Sequence, residues 1–184
     1  MTDVNYGEAL YGLRELQVAP IDSSGVRGAW VDWSGVSLEF GLEIETAEQD
    51  ANDTTIATVT VTKRGTFNIE AGHMPPEVAV IVYGAALTTT GAGSTEVKTL
   101  EVSTEDEKPA FAIRGRMIGG KGQDGGGGGD AVLESIGACY ANNGLAPSFS
   151  GGSWWSPGVE GVILGDSSGK LFKLAQRATA AVLT

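Results

Sequence analysis

The stretch Val36-Ser37-Leu38-Glu39-Phe40-Gly41-Leu42-Glu43-Ile44-Glu45 decides the fold of this chain. Val36, Leu38, Phe40, Leu42 and Ile44 recur at every second position. Ser37, Glu39, Gly41, Glu43 and Glu45 sit between them. A period of two is the signature of a strand with one apolar and one polar face. The polar run Thr46-Ala47-Glu48-Gln49-Asp50-Ala51-Asn52-Asp53 follows and reads as a loop. Residues 54–70 then alternate again. Val59, Val61, Phe67 and Ile69 point one way, and Thr58, Thr60, Thr62, Asn68 and Glu70 the other. Gly65 marks a candidate bulge. The two runs therefore read as one long antiparallel hairpin. Its apolar face is expected to bury against a core, leaving Glu39, Glu43, Glu45, Glu70 and the threonines outward.

Working outward, Pro75 and Pro76 precede an apolar stretch that stops at Gly84. Proline at the first turn and glycine past the end bracket a helix of about two turns. Val78, Ile81 and Val82 fall on one stripe of it. Residues 88–95 (TTTGAGST) read as a polar loop. Further strands are expected at residues 13–21, 29–33, 96–103, 110–118, 131–141, 158–164 and 170–183. The last of these has mixed periodicity. The fold class is mainly β: a sandwich or barrel of antiparallel strands with one short helix, in a single domain spanning residues 1–184.

The run GGKGQDGGGGGD, residues 119–130, invites comparison with a phosphate cradle. A phosphate-binding loop needs Ser or Thr after its lysine and then a helix. Here Gly122 follows Lys121, and the next element is a strand. One calcium-binding nonapeptide repeat fits the run, but such sites need stacked copies. The run reads as a hairpin turn, with Gly125–Gly129 flexible within it.

Composition narrows the function. The chain has 23 acidic against 12 basic residues, a net charge of -11, which opposes tight binding to nucleic-acid phosphates. No apolar run approaches the roughly 20 residues of a membrane span. The N-terminus lacks the basic start and apolar core of a secretory signal. The lone Cys139 has no internal disulfide partner and fits a reducing compartment. His73 is the only histidine, so a multi-histidine metal site is excluded. The glutamates at 39, 43 and 45 track one face of one strand rather than forming a catalytic pair. Trp154 and Trp155 could stack on sugar or anchor a loop. No active site assembles, so no enzyme and no cofactor are expected.

Four segments in order resemble the tail tube (major tail) proteins of long-tailed bacteriophages with non-contractile tails. They are TDVNYGEALYGLRELQVAPI (residues 2–21), the unit at residues 35–84, PAFAIRGRMIGGKGQDGGGGGDAVL (109–133) and DSSGKLFKLAQRATAAVL (166–183). The central unit is an acidic strand, a polar loop, a threonine-rich strand and a short helix ending in glycine. The glycine-rich loop departs from the pattern by its length. The resemblance implies a structural virion protein, a β-sandwich that joins in hexameric rings stacked into a tube. Its partners would be further copies of itself and other phage tail proteins at the tube ends. Viral DNA would pass through without specific binding, with no membrane involved. It would reside in the phage tail, after assembly in the host cytoplasm. Glu39, Glu43, Glu45, Thr58, Thr60, Thr62 and Glu70 would face the lumen, and the run from Thr46 to Asp53 would contact the next ring. The rival readings are a carbohydrate-binding or adhesive β-sandwich using Trp154 and Trp155, and the tube protein of a related contractile injection system.

Overall fold

The computed structural model describes residues 10–51, 54–71, 73–103, 107–119, 129–145, 158–177 and 181–183. The fold is mainly β and antiparallel, with one helix. The strands are β1 (Leu10–Pro20), β2 (Val31–Trp33), β3 (Gly35–Ala51), β4 (Thr54–Ala71), β5 (Ala86–Thr90), β6 (Val97–Glu101), β7 (Phe111–Gly119), β8 (Asp130–Ser135), β9 (Ala138–Ala141), β10 (Gly158–Leu164) and β11 (Phe172–Arg177). Helix α1 spans Pro76–Tyr83, with Pro76 in its first turn and Gly84 capping its end in the left-handed region at φ 75°. Its Val78 and Val82 are fully buried and Ile81 is nearly so, as the sequence stripe requires.

Nine strands form one sheet that curls on itself. Its path runs β11-β8-β7-β9-β10-β4-β3, and β1 joins β7 on its other edge and carries β2. The curl comes from the segment expected as one strand over residues 131–141. It breaks between β8 and β9, where the amides of Ile136 and Gly137 both donate to the Leu171 carbonyl, at 2.7 and 3.1 Å. Before the break the segment pairs with β7 and β11; after it, with β10 and, at Cys139 opposite Phe111, with β7. One continuous run thus feeds two halves, β2-β1-β7-β8-β11 and β9-β10-β4-β3.

The halves pack face to face, with β3 running across the strands of the first half. Gly35 lies against Leu13 and Leu16 of β1. Leu38 comes next, over Gly115 of β7, where a Cβ would stand 2.7 Å from the Leu38 Cδ2. Phe40 then meets Phe172 of β11, ring centroids 5.3 Å apart. Alongside, Phe67 of β4 meets Phe111 of β7 edge to face at 5.7 Å. Leu16, Val18, Ile69, Ile113, Val159 and Ile163 fill the space between. Each such side chain contributes roughly 1.5–3 kcal/mol on full burial. The path does not close, because β3 and β11 meet through side chains and not through a ladder.

Other differences from the sequence reading are local. Thr88–Thr90 belong to β5, which pairs with β6 as a separate two-stranded sheet, and a short 3-10 turn spans Gly93–Thr95 between them. Of the described residues within 170–183, Phe172–Arg177 form a strand. The glycine-rich run joins β7 to β8, whose antiparallel register pairs Ile118 with Asp130, as expected of a hairpin. Lys121 and Gly125 to Gly128 lie outside the described residues, as do Trp154 and Trp155.

One tight backbone approach in the second half is at Gly161 of β10. A Cβ there would lie 2.1 Å from the Tyr140 carbonyl oxygen and 2.5 Å from the Phe67 ring. Gly144, in the loop after β9, has nothing within 4 Å of that position. Gly161→Ala is expected to cost about 1–3 kcal/mol and lower Tm by several degrees, whereas Gly144→Ala leaves Tm near wild type. Thermal melts of the two variants check this.

Candidate functional site

The β3–β4 hairpin is the longest element of the fold. Its strands have 17 and 18 residues, against a usual range of about 3–10. β10 supports β4 only from Gly65 to Glu70. Beyond Gly65 the ladder runs on between β3 and β4 alone, out to Ala51 and Thr54. At about 3.3 Å per residue, this unsupported arm is roughly 30 Å long.

Two expectations are corrected on the arm. Residues Thr46 to Ala51 are not a loop: they continue β3, with Ala47 opposite Val59, Gln49 opposite Ala57 and Asp50 opposite Thr55. Polar residues also form strands, so polarity alone does not mark a loop. Asn52 and Asp53 lie outside the described residues. The apolar face also fails to stay buried. Leu38 and Phe40 pack on the core, but Leu42 and Ile44 are 51% and 54% exposed because the arm has left the body behind. Leu42 edges a cleft of about 510 Å³ with Gly165, Asp166, Gly169, Leu171 and Phe172. Leu174, two residues beyond Phe172 and so on the same side of β11, is 56% exposed. The seam between β3 and β11 therefore carries an uncovered apolar margin.

The opposite side of the hairpin is acidic. Glu39, Glu43 and Glu70 are exposed there, as expected. The register lines them up: Ser37 opposite Glu70, Glu39 opposite Asn68, Glu43 opposite Arg64 and Glu45 opposite Thr62. Past Glu45 the register steps by one residue, pairing Thr46 with Thr60 and Glu48 with Thr58. Thr60 and Thr58 thus stand in the ladder opposite even-numbered residues, not in line with the odd-numbered glutamates. A bulge resets the strand's parity, and alternation counted along one strand does not reveal it.

Sequence reasoning missed Glu160. It lies exposed on β10, opposite Asn68, which has Glu39 on its other side. A shallow depression of about 340 Å³ on this face is bordered by Glu39, Asn68, Asn142 and Glu160. Only the pairing of β10 with β4 could have placed Glu160 here. Arg64 forms an ion pair with Glu43, but both side chains are more than half exposed, so it contributes at most about 1 kcal/mol. The outer face of β9-β10-β4-β3 is thus a wide acidic surface with one balancing arginine among its described ladder positions.

The outer face of the other half is polar in a different way. Asp32, Gln17, Arg114, Glu134 and Lys173 stand directly opposite one another across β2, β1, β7, β8 and β11. Gln17 Nε2 donates to Asp32 Oδ1 at 2.6 Å, and Arg114 Nε donates to Gln17 Oε1 at 2.6 Å. Trp30 stacks on the Arg114 guanidinium, 4.2 Å from its ring centroid. Glu134 accepts from Arg27 Nη1 at 2.6 Å and meets Lys173 Nζ at 3.1 Å. Here charges are matched, so this face acts as structure.

His73 is exposed, and its carbonyl accepts the Trp33 Nε1–H at 2.8 Å. Cys139 is buried, and burial pushes its thiol pKa up to about 12. Among the described residues no cluster of three His, Cys, Asp or Glu side chains could hold a metal ion. No protein-family model and no curated protein matches the chain.

Burial alone would raise the Glu134 pKa, but its bonds to Lys173 and Arg27 outweigh burial and hold it below the ordinary value. A depressed carboxylate stabilises the fold above its unfolded pKa and loses that contribution as pH falls through its folded one. Tm is expected to hold steady at neutral pH and to drop below about pH 4. Glu134→Gln should lower Tm at pH 7 and flatten the acid drop, as calorimetry across pH can measure.

Proposed function

We propose that this protein is a self-assembling structural protein, a phage tail tube subunit that forms stacked hexameric rings through which DNA leaves the virion. One observation carries the reading: the β3–β4 arm extends beyond its own core with Leu42 and Ile44 bare. An isolated two-stranded hairpin is marginally stable in water. An arm of this length, with an apolar margin and open strand edges, is completed by packing on something else. A second copy of the chain is the simplest partner, since every copy carries both the arm and the exposed seam. Contacts between unlike patches of identical subunits repeat around a rotation axis and close into a ring.

The acidic face gives such a ring its use. With the outer face of β9-β10-β4-β3 turned to the lumen, Glu39, Glu43, Glu70 and Glu160 would line the wall. Like charge keeps DNA phosphates from sticking, so the strand slides without bound stops. No catalysis is involved. Other tail proteins would engage the tube ends, and the mature location would be the virion tail. The bare arm favours assembly over a monomeric sugar-binding module, which has no use for it.

Leu42→Asp and Ile44→Asp are surface changes and should shift stability by no more than about 0.5 kcal/mol. Light scattering should show wild-type protein polymerising while both variants stay monomeric. Polymers from the variants at the wild-type rate would remove the arm from the interface. Reversing Glu39, Glu70 and Glu160 to Lys together should leave tube assembly intact. It should slow DNA ejection most strongly at low salt, because added salt screens the new attraction. An unchanged ejection rate would separate the acidic face from DNA passage.

A further inference from the structure

The C-terminal segment Ala181–Leu183 lies over the polar face of the first half. It spans from Asp130 in β8 to Glu15 in β1, and backbone groups hold it. The Ala181 amide donates to Asp130 Oδ2 at 3.0 Å, and the Leu183 amide donates to Glu15 Oε2 at 2.9 Å. The Ala181 carbonyl accepts from Arg177 Nη2 at 2.8 Å. Amides two residues apart lie on the same side of an extended segment, and Val182 between them is 66% exposed. Beneath the segment is Arg116 of β7, its side chain 7% exposed. Arg116 Nε donates to Glu15 Oε2 at 3.0 Å, and its Nη1 stands 3.5 Å from Asp130 Oδ2. Arg177 grips Asp130 through two bonds of 2.6 Å.

We propose that Ala181–Leu183 is a latch over Arg116, held closed by the ionised carboxylates of Glu15 and Asp130 and opened by their protonation while the sandwich stays folded. An amide bonded to a carboxylate is held roughly twice as strongly as one bonded to a neutral acceptor. Ala181, Val182 and Leu183 carry no ionisable side chain, so the latch has no charge of its own. The charged groups facing it are Glu15 from β1, Arg116 from β7, Asp130 from β8 and Arg177 from β11, with Arg14 of β1 and Asp32 of β2 lining the cleft that Val182 and Leu183 border. Glu134, Lys173, Arg114 and Arg27 belong to the adjoining row, where Glu134 pairs with Arg27 and Lys173 and Arg114 donates to Gln17. The arginines stay charged throughout, and Glu15 and Asp130 are the carboxylates bonded to the latch amides.

The sign follows from their surroundings. The Arg116 bond pulls the Glu15 pKa down, burial opposes it, and the Leu183 amide pulls it further down. At Asp130 burial pushes up, and Arg177, the Ala181 amide and Arg116 outweigh it. Both folded values lie below the ordinary ones. The latch is therefore closed above the usual carboxylate range and opens as pH falls through the depressed values.

Amide hydrogen exchange read by NMR, expressed as protection over intrinsic rates from pH 7 to 2.5, tests this. Protection of Ala181 and Leu183 is expected to fall at least tenfold below about pH 4, while the core amide of Ile113 keeps its own. Glu15→Gln keeps an acceptor but removes its charge. At pH 7 it should cut Leu183 protection about fivefold and leave Ile113 unchanged, and Glu39→Gln on the opposite face should alter neither. Latch amides that hold their protection until the core itself opens, or a Glu15→Gln protein with Leu183 protected as in wild type, would overturn the proposal.

Discussion

The crossing of β3 over the strands of the first half is the constraint from which the rest follows. Gly35 on Leu13 and Leu16, Leu38 over Gly115 and Phe40 on Phe172 are successive contacts of one strand with β1, β7 and β11. They bind the two halves of a curled sheet whose path never closes by hydrogen bonds. The same crossing fixes where support ends. β11 is the last strand of the first half, so a β3 longer than that half is wide must project past it. The arm, the bare Leu42 and Ile44, and the cleft beside Phe172 are three consequences of that mismatch in length.

The two outer faces then take different roles. Over β2-β1-β7-β8-β11, cations and anions alternate across the strands, and nearly every described one has a partner within hydrogen-bond reach. Such a face holds five strands in register and fastens the C-terminal segment, at the cost of becoming sensitive to acid. Over β9-β10-β4-β3 the glutamates gather with Arg64 as their described counter-charge. Concentrating like charge on one face does nothing for the stability of a lone subunit. It makes sense where that face meets solvent or a polyanion, which is the use proposed for it.

Much of this was legible in the sequence. Alternation over Val36 to Ile44 named a strand, and its repeat over residues 54–70 named the hairpin. Pro76 and Gly84 placed the helix, and Gly122 after Lys121 turned the glycine run from a phosphate loop into a hairpin link. What failed shares one cause. Alternation reports which residues could share a face, not what lies across from them. Leu42 and Ile44 look as buried as Leu38, although no described strand covers them. Thr46 to Ala51 look like a loop because they are polar, and only the register with β4 shows them as strand. The bulge that sets Thr60 opposite Thr46, and the pairing that brings Glu160 beside Asn68, exist only between strands.

The central claim is that the arm is incomplete without another copy of the chain. Electron microscopy of the purified protein over a rising concentration series tests it most directly. Rings and stacked tubes with an open lumen are expected, growing with concentration, and in averaged images the β9-β10-β4-β3 face is expected to turn inward. Monodisperse particles of single-chain size at every concentration, with the arm fixed in place, would contradict it.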